Sequence, residues 1–319
     1  MKKLLTILII PFVSHFAVAQ GISKADTKLL QQKEDSLRVY AVKIIQGINA
    51  SNRLDADSMF TRMLVRALKT KNSFHYLFES LQTISIQNAP DSSFRIFTWQ
   101  LVINENVIRQ HGAIQMNTPD GSLKLFPLID KSDVTTNVQD TIGNNFGWIG
   151  AIYYKIILKK NGNQNYYTLL GFDENNIRSS RKLIEVLYFK NDEPVFGGPY
   201  FSSENKGSLA KWGSRYIMEY KKEAGPRLTY DKDLDLIIVE HLISESNEPK
   251  KKWTMIGDGD YEGFVWKGNK WMHVDKVFNQ VTPDGQAPVP NPIRDPAGNI
   301  DENKLKEAEP AVKPKGKGL

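Results

Sequence analysis

Phe94-Arg95-Ile96-Phe97-Thr98-Trp99-Gln100-Leu101-Val102, followed after four intervening residues by Val107-Ile108-Arg109-Gln110-His111-Gly112-Ala113-Ile114-Gln115-Met116, is where the chain changes its period. Before this stretch, apolar residues recur at three- and four-residue steps, the spacing of one helix face. From Phe94 onward they follow the two-residue period of a strand. Further strands are expected over 123–128, 148–159, 164–171, 183–189, 215–220, 227–230, 235–242, 261–266 and 271–274. All are rich in Ile, Val, Tyr, Phe and Trp, which fit pleated, half-buried positions. Between them, Pro119-Asp120-Gly121 suits a type I turn closed by a left-handed glycine, and Asn161-Gly162 suits a type I′ hairpin. Short hairpins join antiparallel neighbours, and no long helical crossover separates these strands, so a meander is expected rather than a doubly wound sheet.

Upstream, Leu30, Leu37, Ala41, Ile44, Ile45 and Ile48 form one apolar stripe, which predicts a helix over 27–48. The polar residues 49–52 read as a stop, and Asp55 as the N-cap of a second helix carrying Phe60, Met63, Leu64, Ala67 and Leu68. Ser73 would cap a third short turn carrying Phe74, Leu77, Phe78 and Leu81. Two helices joined so closely lie antiparallel and need a surface to cover, which the β-region supplies. The expected fold class is mainly β (α+β): an N-terminal helical hairpin on a large antiparallel, sandwich-like β domain. The expected divisions are a signal peptide over 1–19, the helical segment over 20–82, the β domain over 90–280 and a tail over 281–319.

The signal-peptide reading rests on Lys2 and Lys3, the apolar stretch from Leu4 to Val13, and the small-x-small site Ala17-Val18-Ala19. That stretch is shorter than the roughly 20 apolar residues a bilayer span needs. Export to the periplasm or beyond is therefore expected, with no transmembrane segment in the mature chain. Removing Lys2 and Lys3 leaves 40 basic side chains against 36 acidic ones, a net charge of +4. So mild an excess, with no dense basic patch, argues against a nucleic-acid partner. The chain has no cysteine, which excludes disulfides, thiol nucleophiles and zinc–thiolate sites together. From Val281 onward there are seven prolines, no aromatic residue and a lysine-rich end, a composition that predicts a disordered tail.

Two stretches carry a family resemblance. One runs from Ser73-Phe74-His75-Tyr76-Leu77-Phe78-Glu79-Ser80-Leu81 through Pro90-Asp91 to Phe94-Arg95-Ile96-Phe97-Thr98-Trp99. The other runs from Tyr166-Tyr167-Thr168-Leu169-Leu170-Gly171-Phe172-Asp173 through Lys182-Leu183-Ile184-Glu185-Val186-Leu187 to Phe196-Gly197. They resemble a functionally unassigned family of exported, β-rich bacterial proteins. That resemblance implies export and a β fold, and it carries no reaction, ligand or catalytic residue.

Three constellations have chemical potential. Around Gly268-Asn269, a two-residue turn would set Lys267 against Lys270, Trp266 against Trp271 and Phe264 against His273. Phe264, Trp266, Trp271 and His273 would then share one face, either packed on the core or exposed as a platform for a sugar ring or peptide. Asp258, Asp260 and Glu262 alternate in a glycine-rich stretch that reads as a tight turn or, less readily, as an oxygen-ligand cation site. The EF-hand pattern fails because its twelfth position is Asn269. Glu185 lies between Leu183 and Leu187 on an apolar face, where a carboxyl could act as a general acid or pair structurally with Lys155, Arg178 or Arg181.

His75, His111, His241 and His273 show no metal-ligand spacing, and no cofactor is expected. G-x-S-x-G, H-E-x-x-H, phosphate-loop and dinucleotide motifs are absent. The expected function is a non-catalytic binding or structural module of the cell envelope, with a glycan or protein partner. The alternative is an envelope hydrolase acting on glycan or peptide, with Glu185, Asp173 and Asp258 or Asp260 as acids.

Overall fold

Residues 21–203 and 213–278 are described in the computed structural model of the chain. The expected signal peptide and proline-rich tail lie outside them. Helix α1 is Lys24–Gln46. It begins earlier than the apolar stripe because Ser23 caps it: the Ser23 hydroxyl accepts from Asp26 N at 3.0 Å. Helix α2 is Ala50–Leu68, and its cap is Asn49, whose Oδ1 accepts from Asn52 N at 2.9 Å. Asp55 is therefore not the cap but lies inside the helix. An extended backbone at Asn49 turns its side chain back over the first turn, so the polar residues read as a stop are a start. Ser73–His75 form a short 3₁₀ turn.

The first sheet is a four-stranded antiparallel meander of β1 Ser85–Asn88, β2 Phe94–Asn104, β3 Val107–Met116 and β4 Lys124–Ile129. β5 Gly143–Asn144, β6 Ile152–Asn161, β7 Gln164–Asp173, β8 Ser179–Lys190 and β9 Glu193–Phe196 form the second sheet, in the order β5-β9-β8-β7-β6. The chain then adds β10 Phe201–Ser203 and β11 Arg215–Lys221, the latter paired with β8. β12 Leu228–Asp231, β13 Leu236–Ser244, β14 Met255–Lys267 and β15 Lys270–Val274 complete the third sheet, in the order β10-β15-β14-β13-β12. Among the described residues, the strand pairs are antiparallel except β10 with β15. Strands β1, β5, β9 and β10 were not expected; each is four residues or fewer. β9 follows a hairpin turn in which Asn191 and Asp192 both have positive φ.

Four layers result. The helices bury Leu30, Leu37, Phe60 and Leu64 against Phe97, Trp99 and Leu101 of β2. The opposite face of that sheet, with Phe94, Ile96 and Ile114, packs on Tyr153, Leu169, Leu183 and Leu187 of the second. The second sheet's other face, with Leu170, Ile184 and Val186, is covered by Ile237, Val239, Phe264 and Trp271 of the third. Arg95 is buried between the helices and the first sheet. It donates to Gln115 Oε1 at 2.8 Å and to the carbonyls of Tyr76 and Ser73, and its guanidinium lies 4.8 Å from the Phe97 ring centre. Burial pushes its pKa down to about 9. Among the described residues, no helix is long and apolar enough to cross a membrane.

Candidate functional site

The β14–β15 hairpin has the register read from its sequence. Trp266 faces Trp271, Phe264 faces His273, and Gly268 and Asn269 both adopt the left-handed backbone of a type I′ turn. Phe264 and Trp271 are fully buried, and the His273 side chain is nearly so; Trp266 is half-buried. The Trp271 indole donates to Thr168 Oγ1 at 2.8 Å. This face covers the apolar outer face of the second sheet and does not form a solvent-lined platform. The sequence could not show that β7 and β8 need covering on both sides.

Asp258, Asp260 and Glu262 do not sit in a tight turn. They belong to β14, which bulges where Gly259 has φ +86° and the β13 register slips between Glu240 and Leu242. Each carboxylate has its own partner: Asp258 meets His241 Nδ1 at 2.7 Å, and Asp260 lies 4.0 Å from Lys276 Nζ. Glu262 accepts from the Tyr216 hydroxyl at 3.2 Å and meets His273 Nε2 at 3.0 Å. Burial alone would raise the Asp258 carboxyl, but hydrogen bonds from His241 and the Asp260 amide outweigh it and hold the group below its ordinary value. Among the described residues, no three potential ligands cluster to hold a metal ion.

Glu185 is fully buried, and its partner is Arg215, equally buried, with Nε 3.1 Å from Oε2. The two stand opposite each other on β8 and β11. Tyr153 donates its hydroxyl to Glu185 Oε1 and accepts from the Trp148 indole at 2.7 Å. Burial first, and the adjacent carboxylate second, push the Tyr153 phenol far above its ordinary range. None of the expected partners reaches Glu185. Lys155 is exposed because β6 bulges between Tyr153 and Lys155, which reverses the alternation. Arg178 stacks over Trp253, and Arg181 pairs with Glu219 at 2.9 Å.

Asp173 closes β7 and is buried. Its Oδ1 accepts from Gln110 Nε2 at 3.0 Å and from Asn175 N at 2.9 Å, with Arg181 at 4.0 Å. Burial raises its carboxyl pKa, and Asp130 adds to the rise. It lines a cavity of about 240 Å³ with Asp130, Asp133, Arg109 and Arg181.

That cavity shares Arg109 and Asp130 with a larger cleft of about 550 Å³ between α2, β3 and β4. Here Asp57 Oδ1 receives the Trp99 indole at 2.7 Å and His111 Nδ1 at 2.8 Å. The contact orients the His111 ring in the cleft wall. Trp99, Pro127, Leu128 and Ile129 give the cleft apolar walls, and Arg62 and Lys131 line it as cations. Neither cation pairs with a carboxylate among the described residues. Asp130 is occupied: its oxygens accept from the amides of Gln110, Ser132 and Gly150.

Asp57 and His111 meet only through tertiary pairing, across 54 positions, which histidine spacing along the chain does not reveal. Two signals could have found them. Pairing β2 with β3 sets Trp99 opposite His111. Asp57, three residues before Phe60, lies on the buried stripe of α2. No protein-family model, no curated protein and no solved structure matches the chain.

Proposed function

We propose that the protein is an exported, non-catalytic binding module of the cell envelope whose ligand sits in the cleft between α2, β3 and β4. The observation that carries this reading is the Asp57 carboxylate, which fixes Trp99 and His111 in the wall of a 550 Å³ cleft that Arg62 and Lys131 also line, neither with a carboxylate partner among the described residues. An aromatic and aliphatic wall beside cations suits a ligand with an apolar body and one anionic group. Export is supported by the basic, apolar and small-x-small order of the first nineteen residues.

The test is titration with anilinonaphthalene sulfonate, an apolar anion, read by energy transfer from tryptophan. The paired change Arg62→Glu with Lys131→Glu should weaken binding at least about tenfold, or about 1.4 kcal/mol. Binding indifferent to that charge reversal would refute the site. An unprocessed chain that begins at Met1 and is recovered from the cytoplasmic fraction would refute the export reading.

One observation favours the hydrolase as a second reading: burial raises the Asp173 carboxyl pKa beside a cavity, as a general acid requires. Hydrolysis of cell-wall glycan or casein that is lost in Asp173→Asn would replace the binding reading with this one.

A further inference from the structure

β3 is paired along its whole length with β2, from Val107 against Asn104 to Met116 against Phe94. On its other side, β4 covers only His111 to Met116. The ladder stops there because the Asp130 side chain takes the place of the next β4 backbone group: its Oδ2 accepts from Gln110 N at 3.1 Å. The Gln110 amide therefore points away from β2. By alternation, the N–H and C=O of Ile108, two residues earlier, point the same way. Val107, Ile108 and Arg109 line the 240 Å³ cavity along this stretch. At its far end, Gln110 is fully buried and its Oε1 has no partner among the described residues.

Parts of the neighbouring edges are closed. The outer edge of β4 is taken by the 145–148 segment, through Ile129 N to Asn145 O at 2.8 Å and Trp148 N to Ile129 O at 3.1 Å, and by Asn145 Nδ2 on Pro127 O. β2 is covered by β1 from Arg95 to Thr98. Natural sheets usually block an exposed edge with proline, a bulge or a covering loop. This one instead opens into a cavity that continues into the apolar cleft.

We infer that the open edge of β3 at Val107–Arg109 takes an extended polypeptide strand, which places one apolar side chain in the Trp99–Leu128 cleft. The inference deepens the binding reading and rests on it. The Ile108 N–H and C=O, held side by side on a rigid strand, match the paired acceptor and donor of another backbone, whereas sugar hydroxyls hold no such fixed spacing. With the Gln110 amide held by Asp130, the open stretch is Val107–Arg109, about 10 Å long, with the Ile108 N–H and C=O turned outward. Arg109 and Arg181, which flank the edge, are already paired with Asp133 and Glu219, so the partner needs no acidic residue there.

The test uses fluorescein-labelled octapeptides of alternating threonine and valine that end in leucine, phenylalanine or alanine. Binding is read by fluorescence anisotropy on the full chain. Peptides ending in leucine or phenylalanine should bind, and the alanine version should bind at least tenfold more weakly. N-methylation of one alternate set of amides should abolish binding, and methylation of the other set should leave it. Ile108→Pro, which removes an amide facing away from β2, should lose binding, while Ile108→Ala keeps it. If the proline chain does not fold, slowed hydrogen exchange of the Ile108 amide in peptide-bound wild type serves instead. The inference is overturned if both methylated sets behave alike, if folded Ile108→Pro binds normally, if Ile108 exchange is unchanged, or if no peptide binds at millimolar concentration. Failure of the peptides while anilinonaphthalene sulfonate still binds sinks strand addition alone. Loss of both probes sinks the binding reading as well.

Discussion

Glu185→Leu is the perturbation whose outcome is set most directly by the buried geometry. The wild-type carboxylate receives Arg215 Nε at 3.1 Å and the Tyr153 hydroxyl, with no exposure on either side of the ion pair. Among the described residues, the substitution leaves the Arg215 guanidinium with only Nη1 bonded, to the Val138 carbonyl, because Nη2 has no partner there. Leaving one member of a buried pair uncompensated costs about 3–5 kcal/mol. For a domain of this size each kcal/mol shifts Tm by about 2–4 °C, so a fall of roughly 6–20 °C is expected. Removing the charge on both sides, as Glu185→Leu with Arg215→Met, should recover most of the loss, since apolar replacements of similar volume are often neutral. Differential scanning calorimetry on the two single variants and the double one gives the coupling energy directly. A Glu185→Leu chain that melts within 2 °C of wild type, or a double variant no more stable than the sum of the singles, would refute the structural role of the pair.

Arg95→Lys should cost about 2–4 kcal/mol by urea unfolding, because a lysine cannot reproduce the fork to Gln115, Tyr76 and Ser73 or the stacking on Phe97. An Arg95→Lys midpoint equal to wild type would show that the fork is dispensable. Trp271→Ala should cost about 3–5 kcal/mol and half-buried Trp266→Ala clearly less, the reverse of what a binding platform requires. Equal costs would contradict the packing described for β14 and β15. Asp173 has its folded pKa raised, so folding there favours the protonated carboxyl. Its destabilising contribution is fully present above the folded pKa and fades as pH falls through that value toward 3.8. Asp173→Asn should therefore stabilise the chain at pH 7, with the gain vanishing near pH 4. A gain constant across that range would show that the charge is not its source.

The sequence disclosed most where burial is one-sided. Most of the α1 and α2 stripes follow from period alone, because each helix buries one face, although Ile45 and Ile48 prove exposed and Ile48 lies beyond the end of α1. β2 is harder, since Ile96 packs on the second sheet while Phe97 and Trp99 pack on the helices. Burial on both faces erases the alternation that identifies which side is which. Bulges do more damage. The one after Tyr153 turns Lys155 outward, and the one at Gly259 lets a strand look like a turn. The site depends on pairings that no local window contains: Asp57 meets His111 across 54 positions, and Glu185 meets Arg215 across 30. Helix faces are set by neighbours in the chain, whereas these contacts are set by which sheets stack.

The same distinction explains why the layer boundaries carry polar groups at all. Between the helices and the first sheet lies Arg95, bound to Ser73 and Tyr76. Between the first and second sheets, Tyr153 connects Glu185 to Trp148, and Thr98 Oγ1 accepts from Tyr153 N at 3.1 Å. Between the second and third sheets, Thr168 receives the Trp271 indole. Apolar faces built from Leu, Ile and Val tolerate a two-residue slide at modest cost, since each such residue meets another of similar volume. A buried donor has only one acceptor in reach, and a slide leaves both unsatisfied at about 1–3 kcal/mol for each group. Every interface between layers thus holds a contact that fixes its register, and the cleft inherits that precision. Asp57 reaches Trp99 and His111 together only when α2 sits in one register over the first sheet.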